Sequence, residues 1–359
     1  MDVALPGEHH PVRVEVRAFL SEHPDPDPVE LAAAGLVAPA WPRPWGRSAD
    51  TDQILAIDLE LAAARVDPIA HNPIGVGWAG PTILAAGTDA QRERYLASLL
   101  SGEEIWCQLF SEPGAGSDLA SLTTAAVRDG DVYVVDGQKV WNTWADRADF
   151  GILLARTDPT APKHRGISYF ICPMGLDGIE VRPIRQMTGE STFCEVFFTD
   201  VAIPADCLVG EEGAGWMLAR MTLGNERMTL STGGVLWGNG PTAAEIVDLV
   251  RGHGDASLRD RAVRLHIEST VLERLSRRIV TETAAGRDPG LLAAMRKYLA
   301  DQHGQVAMEL AVDSLGVNGM LDVGDTTREY LYARALTIGG GTTQVLADLI
   351  AERALGLPR

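Results

Sequence analysis

The spacing of apolar residues divides the chain into three parts. Up to about residue 105, apolar positions recur every three or four residues, as at Ile54, Ile57 and Leu61 in an Ala-rich stretch, which predicts helices. A further helix is predicted from Asp89 to Leu100, because Thr88 and Gln91 form a capping-box pattern at its start. The first part is therefore predicted to be an N-terminal helical domain over residues 1–105.

The pattern changes from about residue 106 to 210. Short runs rich in β-branched and aromatic residues follow one another at 132–135, 151–155, 167–171, 179–184 and 195–203. Asp129-Gly130 and Asp136-Gly137 supply turn chemistry between them. Several strands without intervening helices predict a small antiparallel barrel or sandwich, assigned to residues 106–212.

Helical spacing returns after residue 213. Apolar residues share one helix face at 265, 272, 275 and 279, and again at 292, 295, 299, 306 and 310, with the loop 286–290 between the two helices. A final helix is predicted from Thr343 to Leu355, before Gly356 and Pro358. The third part, residues 213–359, is thus helical, and the class is α+β.

Composition narrows the possible functions. The chain has 31 Lys and Arg residues against 49 Asp and Glu residues, a net charge of −18, which argues against nucleic acid or an anionic membrane surface as the main partner. Its four cysteines lie far apart, which favours buried free thiols over a metal site or disulfides. No apolar run reaches the ~18 residues of a membrane span, and the start does not resemble a signal peptide. We expect a cytoplasmic enzyme without metal.

Two segments of the middle part have candidate binding chemistry. In QLFSEPGAGSD, Gln108 to Asp118, the glycines allow the backbone to approach a ligand and the serines offer hydroxyls; the alternative is a tight turn entering a strand. In the second segment, Trp141, Asn142 and Thr143 could place an aromatic face and a hydroxyl against a flat ring. Without context, a tryptophan there is more often a core residue.

Two further segments lie in the last part. LGNERM, Leu223 to Met228, places Glu226 beside Arg227; this is a solvated ion pair or, in an apolar pocket, a carboxylate with a raised pKa that can act as a general base. The glycines at 339–341 precede the final helix, where Thr342 or Thr343 can cap it. Free N–H groups at such a turn suit an oxyanion or phosphate, and the alternative is an ordinary helix N-cap.

In combination, these segments resemble the acyl-CoA dehydrogenase family. The resemblance rests on SEPGAGSD, KVW-x-T, VFFTDVAIPADCLVGEEGAGW and GGGTTQ…IAERALGLP in this order along nearly the whole chain. It implies an N-terminal helical domain, a central antiparallel β-domain and a C-terminal four-helix bundle. It also implies lipid metabolism, FAD as cofactor, an acyl-CoA or other acyl thioester as substrate, electron-transferring flavoprotein as acceptor, and a homo-oligomer or a hetero-oligomer with a related subunit.

The resemblance also assigns residues. It places flavin contacts on Gln108 to Ser117, on the segment Trp141 to Thr143, and at the start of the last helix. It places a contact to the CoA ester at Ser117. Arg227 and Gly341, which lie next to the proposed catalytic positions in the sequence, are the other predicted substrate contacts. The cofactor positions are Gln108, Phe110, Ser111, Gly116, Ser117, Trp141, Asn142, Thr143, Asp313, Gly316, Thr342 and Gln344.

The catalytic base departs from the commonest family pattern. Most familiar members have a glutamate two residues before the threonine of the last motif, where this chain has Gly340. A minority branch, resembling isovaleryl- and long-chain-type dehydrogenases, has it just before an arginine in the helix after the β-domain, which matches Glu226-Arg227. The resemblance then implies that Glu226 removes the α-proton, that the β-hydride passes to the flavin N5, and that the N–H of Gly340 supports the thioester oxygen.

A second departure concerns the ADP half of FAD. Family members commonly have an R-x-x-F-G segment that reaches the diphosphate of the neighbouring subunit, but no Phe-Gly pair follows Gly151 here. Arg259 and Arg261 are the candidate replacements. The family's Q-x-x-G-G-N-G becomes DSLGVNG, so Asp313 replaces an amide near a diphosphate, where like charges repel. The alternative function is therefore a non-catalytic or half-site subunit of a hetero-oligomeric dehydrogenase.

Overall fold

A computed structural model of the chain describes residues 5–231, 240–321 and 324–358. The chain forms two compact units, Leu5–Glu226 and the part from Arg227 onward. The predicted N-terminal helices and the predicted β-domain both lie in the first unit. Helix α6 spans the boundary between the units, since it runs from Gly215 to Ser231.

The first unit begins with helices. They are α1 (Pro11–Glu22), α2 (Pro28–Ala33), α3 (Thr51–Ala63), α4 (Gly80–Ala86) and α5 (Asp89–Ser101), with a π-helical turn at Gly75–Ala79. The predicted cap of α5 is confirmed, because the Thr88 hydroxyl accepts from Gln91 N and the Gln91 side chain accepts from Thr88 N. The Gln91 amide also donates to the carbonyls of Asp206 and Leu208, at 2.7 and 2.9 Å. One residue therefore caps the helix and holds it against the chain that ends the sheet.

The sheet that follows has eight strands. They are β1 (Trp106–Leu109), β2 (Ala125–Asp129), β3 (Val132–Thr143), β4 (Phe150–Arg156), β5 (Ile167–Pro173), β6 (Ile179–Ile184), β7 (Phe193–Pro204) and β8 (Leu208–Val209). The order is β6-β7-β3-β2-β4-β5-β8, and β1 also pairs with β4. Most neighbours are antiparallel, as predicted, but β1 and β4 run parallel, and so do β2 and β4 at Ala125 and Arg156. The sheet is therefore antiparallel-rich, with these two parallel pairings added to the predicted pattern.

A buried asparagine fixes the start of β1. The Asn72 side chain is 0% exposed. Its amide donates to the carbonyls of Leu99 and Glu104, both at 3.0 Å, and its oxygen accepts from the N–H of Trp106 at 3.1 Å. Because β1 continues into the glycine-rich loop, this contact sets the position of Gln108 and the residues after it.

The second unit is helical. After α6 come α7 (Ala243–Val250), α8 (Ala256–Ala284), α9 (Gly290–Ser314), α10 (Asp325–Tyr332) and α11 (Thr343–Arg353). The predicted loop at 286–290 does lie between α8 and α9. Buried apolar residues of α7, α8 and α9 form one core together with Ala333 and Leu336. Of the predicted apolar face on α9, Leu310 is fully buried, whereas Leu299 is 42% exposed.

Candidate active site

A hydrogen bond joins β1 to α6 at the predicted base. Gln108 lies on β1, one residue before the end of the strand. The Gln108 amide donates to Glu226 Oε2 at 3.2 Å, and Glu226 is only 6% exposed. A buried carboxylate is thus oriented by a neutral side-chain amide, and the interpretation of Glu226 as a solvated surface residue is wrong.

Thr222 lies one turn before Glu226 on α6. Its hydroxyl lies 2.8 Å from the Thr82 hydroxyl and 3.1 Å from the Tyr169 hydroxyl, and all three side chains are fully buried or nearly so. The Phe110 ring packs edge-to-face on Tyr169, with 5.9 Å between the ring centroids. These contacts fix α6 against the helices and the sheet, and hence fix where the Glu226 side chain begins. The sequence gives no sign of the cluster, because single threonines and tyrosines have no distinctive spacing.

The glycine-rich loop is anchored by a buried ion pair. Lys139 Nζ on β3 donates to Glu112 Oε1 at 2.9 Å and to the Phe110 carbonyl at 3.1 Å. Both oxygens of Glu112 also accept from Thr123 and Thr124. Burial alone would raise the pKa of Glu112, but the Lys139 charge and the hydrogen bonds outweigh it and lower the pKa to about 2. The motifs alone did not predict this pair, although the opposite charges of Glu112 and Lys139 in two candidate binding segments were a usable signal.

The loop after Glu112 is exposed. A Cβ added at Gly114 or at Gly116 would meet no heavy atom within 4 Å. Within the described residues, no acceptor is hydrogen-bonded to the N–H of Gly116 or of Ser117, and both residues are exposed. The Ser111 carbonyl accepts from Val140 N at 2.9 Å, which ties the loop to β3. Phe110 is only 2% exposed, and its carbonyl accepts from Lys139, so the predicted ligand contact at this residue has no exposed group to support it.

Trp141 lies on an irregularity of β3. Its φ is +63°, in the left-handed region, where the register with β7 shifts between Lys139 and Asn142. Its side chain is 61% exposed and contacts Phe193 edge-to-face. The interpretation of Trp141 as a core residue is therefore wrong. Asn142 points inward instead, where its amide donates to the Gln108 carbonyl at 2.6 Å, and Thr143 is half-buried.

The second unit contains the glycine segment, residues 338–342. Gly340 has φ +67° and Gly341 has φ +103°, both in the region that favours glycine. Thr342 caps α11, since its hydroxyl accepts from Val345 N at 3.2 Å. No hydrogen bond from the N–H of Gly340 or Gly341 is found in the part of the chain that the structure describes. These N–H groups, with the exposed Gln344, form a small set of donors at a helix N-terminus.

Two residues predicted to lie near the ADP half of FAD, Arg261 and Asp313, form an ion pair with each other. Arg261 Nη1 lies 2.7 Å from Asp313 Oδ2, so the acid that replaces the family's amide pairs with a candidate replacement arginine. Gly316, a further predicted cofactor contact, is exposed and has φ +57°. Arg227, which the resemblance places beside the substrate, is half-buried. Arg261 therefore offers a diphosphate no unpaired positive charge.

Metal chemistry has no visible basis in residues 5–231, 240–321 and 324–358. In those ranges no group of three His, Cys, Asp or Glu side chains is arranged to hold a metal ion. The four cysteines are free and buried, as predicted. None of the described helices has the length and apolar content needed to cross a membrane.

Comparison with protein families identifies the class. The N-terminal, middle and C-terminal domains of acyl-CoA dehydrogenases match residues 7–103, 107–201 and 213–355. The chain therefore belongs to the acyl-CoA dehydrogenase family, whose members are oxidoreductases that typically bind FAD. The three-part fold expected from the resemblance is confirmed, with helices first, an antiparallel-rich sheet in the middle and a helical C-terminal domain.

Individual relatives support the assignment. The chain is 45% identical over 336 residues to the acyl-CoA dehydrogenase FadE34 of Mycobacterium tuberculosis, matching 92% of this chain but only 46% of that protein. The chain thus spans less than half of that relative's length. Among solved structures, the steroid acyl-CoA dehydrogenase Tcur3481-Tcur3483 matches with a TM-score of 0.84, 28% identity and full coverage of both chains. The ChsE4-ChsE5 complex from Mycobacterium tuberculosis matches with a TM-score of 0.79, 29% identity and full coverage of both chains.

Proposed function

We propose that this protein catalyses the FAD-dependent α,β-dehydrogenation of an acyl-CoA or a similar acyl thioester, with Glu226 as the base. The observation that carries the proposal is the burial of Glu226 next to Gln108, in a chain with Gly340 where most family members have the glutamate. A buried carboxylate held in a fixed orientation is a suitable acceptor for a proton next to a carbonyl.

The proton step needs an oriented carboxylate. The Gln108 amide holds Glu226 Oε2, while the Asn142 amide holds the Gln108 carbonyl. Each partner in this chain of contacts is itself fixed by β1, β3 or α6. Glu226 therefore needs little reorganisation to take the α-proton onto a carboxylate oxygen, which lowers the barrier.

The acidity of that proton depends on the thioester oxygen. A donor aimed at this oxygen stabilises the negative charge that develops when the α-proton leaves. Gly340 supplies a backbone N–H without a partner among the described residues, and glycine adds no side chain that would compete. In this proposal Glu226 removes the proton and the N–H of Gly340 stabilises the resulting oxyanion.

The residues also fit a flavin. Trp141 offers an exposed aromatic face, and Gly116 and Ser117 offer exposed N–H groups without partners among the described residues. An aromatic face and free donors suit a flat ring with a polar, phosphorylated tail. Ser111, Thr143, Thr342 and Gln344 are the further candidate contacts. When bound, FAD supplies the hydride acceptor, and electron-transferring flavoprotein is the proposed partner that reoxidises it.

The direct test is the flavin spectrum under anaerobic conditions. We expect the purified protein to bind FAD and its absorbance near 450 nm to bleach when a suitable acyl-CoA is added. The substrate panel should include linear acyl-CoAs and a steroid side-chain acyl-CoA, because the similar Tcur3481-Tcur3483 structure is a steroid acyl-CoA dehydrogenase. Bleaching that persists unchanged in Glu226→Gln would contradict the assigned base, and no bleaching with any thioester would contradict the activity.

A second function has its own support: a subunit that completes a flavin site only with a related partner chain. Arg261 pairs with Asp313, the R-x-x-F-G segment is missing, and the similar ChsE4-ChsE5 structure is a complex. This alternative predicts a colourless protein when purified alone, which gains flavin only on co-expression with a related subunit. Stoichiometric FAD in the isolated protein would exclude it.

A further inference from the structure

Helix α9 has a polar stripe in its buried face. Lys297, Asp301 and Gln305 are spaced four residues apart, so they lie on one side of the helix, one above the other. Lys297 and Asp301 are fully buried, and their side chains pair at 2.7 Å. These three polar residues thus lie on a helix whose other buried residues are mainly alanines.

The stripe contacts one segment, the chain that leads into the glycine segment. Lys297 Nζ donates to the Leu336 carbonyl at 3.3 Å. The Gln305 amide donates to the Ala333 carbonyl at 3.2 Å and to the Thr337 hydroxyl at 3.1 Å. The Thr337 carbonyl in turn accepts from Thr343 N at 3.0 Å, which closes the loop across the glycine segment.

Stability alone is a poor explanation of the stripe. A buried ion pair loses hydration, and a pair of apolar residues of similar volume is often as stable or more so. Asp301 Oδ1 has no hydrogen-bond partner among the described residues, and burial raises the pKa of Asp301 to about 6, with Lys297 acting against that shift. One oxygen of the pair thus lacks a hydrogen bond, so the pair is not optimised for stability. The hydrogen bond from Lys297 to the Leu336 carbonyl explains the pair better.

We propose that Lys297, Asp301 and Gln305 position the glycine segment, so that the N–H of Gly340 meets the thioester oxygen. They are positioning residues: Gln305 and Lys297 hold both sides of the turn before Ile338, and Asp301 orients Lys297. The proposal rests on the proposed function, since these residues matter for catalysis only if the N–H of Gly340 is the oxyanion donor. It concerns neither flavin binding nor the base.

The main test compares two glutamines of α9. Gln305→Leu removes both contacts with the segment at nearly constant volume, whereas Gln302→Leu is the control, because exposed Gln302 donates only to Tyr298 O of its own helix among the described residues. We expect Q305L to lose about 10- to 100-fold in kcat with little change in KM. A displacement of a catalytic group by about 1 Å is enough for such a loss. Q302L should keep wild-type kinetics.

A second measurement does not require turnover. Hydrogen–deuterium exchange followed by mass spectrometry should show faster exchange of the peptide that covers residues 336–343 in Q305L, and unchanged exchange in Q302L. Wild-type kinetics and exchange in Q305L would overturn the proposal. If the wild-type protein turns over no thioester, the proposed function fails, while the exchange result still decides whether Gln305 holds the segment.

The ion pair is tested by a paired substitution. Lys297→Met with Asp301→Leu removes both charges together, so that no buried charge is left without a partner. We expect a melting temperature close to that of the wild type, faster exchange at residues 336–343, and kcat reduced by about 10-fold or more. Wild-type kcat and exchange in this folded double variant would overturn the role of the pair.

Discussion

Two buried glutamates of the first unit make different contacts. Glu112 and Glu226 are each 6% exposed. Glu112 contacts the Lys139 ammonium and accepts from Thr123 and Thr124, whereas Glu226 accepts from the neutral amide of Gln108. Burial is the same in both cases, so burial alone does not distinguish their roles.

This difference separates a structural carboxylate from a candidate base. A carboxylate with a pKa of about 2 stays ionised at neutral pH and is a poor proton acceptor, which suits Glu112 to holding a loop. Glu226 is the residue that we propose as the base, and it accepts a hydrogen bond from the Gln108 amide. The comparison therefore predicts that Glu226 controls the rate and that Glu112 controls the stability.

The largest effect is expected at the base. Glu226→Gln keeps the volume and removes the proton acceptor, so we expect turnover to fall by about 10³- to 10⁴-fold. Steady-state kinetics with an artificial electron acceptor measures it. The matched control is Glu195→Gln, because Glu195 also accepts from a glutamine amide, that of Gln138 at 3.1 Å. A loss of similar size in E195Q would show that the effect is not specific to Glu226.

The next effect concerns the loop anchor. Glu112→Gln leaves the buried Lys139 without a counter-charge, which we expect to cost about 3 kcal/mol or more in the free energy of unfolding. Urea denaturation measures this loss. The double variant Glu112→Leu with Lys139→Met should be less destabilised than E112Q, since it leaves no charge buried alone. A fully stable E112Q would contradict the structural role of the pair.

The same pair predicts a dependence on pH. The pKa of Glu112 falls from 4.5 to about 2 on folding, so its contribution is present above pH 4.5 and is lost as the pH falls towards 2. The shift corresponds to about 3 kcal/mol. The free energy of unfolding should be measured between pH 5 and pH 2. We expect it to fall less steeply with decreasing pH in the double variant Glu112→Leu with Lys139→Met than in the wild type. Equal slopes for the two proteins would contradict the assignment.

The smallest effect is expected at the residue that orients the base. Gln108→Leu leaves Glu226 in place but removes one hydrogen bond, so we expect kcat to fall by about 10-fold, which corresponds to about 1.4 kcal/mol. Gln138→Leu is the control, because it removes a similar amide–carboxylate contact elsewhere on the sheet. If kcat falls equally in both variants, Gln108 has no special relation to Glu226.

Much of the architecture was predictable from local patterns. The cap at Thr88 and Gln91, the strands from 132 to 203 and the last helix follow from turn chemistry, hydrophobic spacing and capping residues, which act over a few positions. The parallel pairing of β1 with β4 was not predictable, since strand direction depends on contacts between Trp106–Leu109 and residues more than forty positions later.

The candidate site was predictable in part. Motif spacing points to Glu226 and the glycine segment as candidates. The resemblance relates both of them to one reaction, as base and as oxyanion donor. Trp141 was misjudged without that context, because a left-handed φ that turns a large ring outward leaves no trace in the hydrophobic pattern. The Thr82–Thr222–Tyr169 cluster and the polar stripe of α9 were missed, since tertiary contacts alone bring their partners together.

The central claim is that Glu226 moves the α-proton, and proton exchange tests it most directly. The protein loaded with FAD would be incubated in D₂O with a 3-thia-acyl-CoA, whose β-position is sulfur and cannot lose hydride, and loss of the α-proton signal would be followed by NMR. We predict rapid exchange with the wild-type protein, slower exchange with Gln108→Leu, and no exchange above the background with Glu226→Gln. Exchange at the wild-type rate in E226Q would contradict the account.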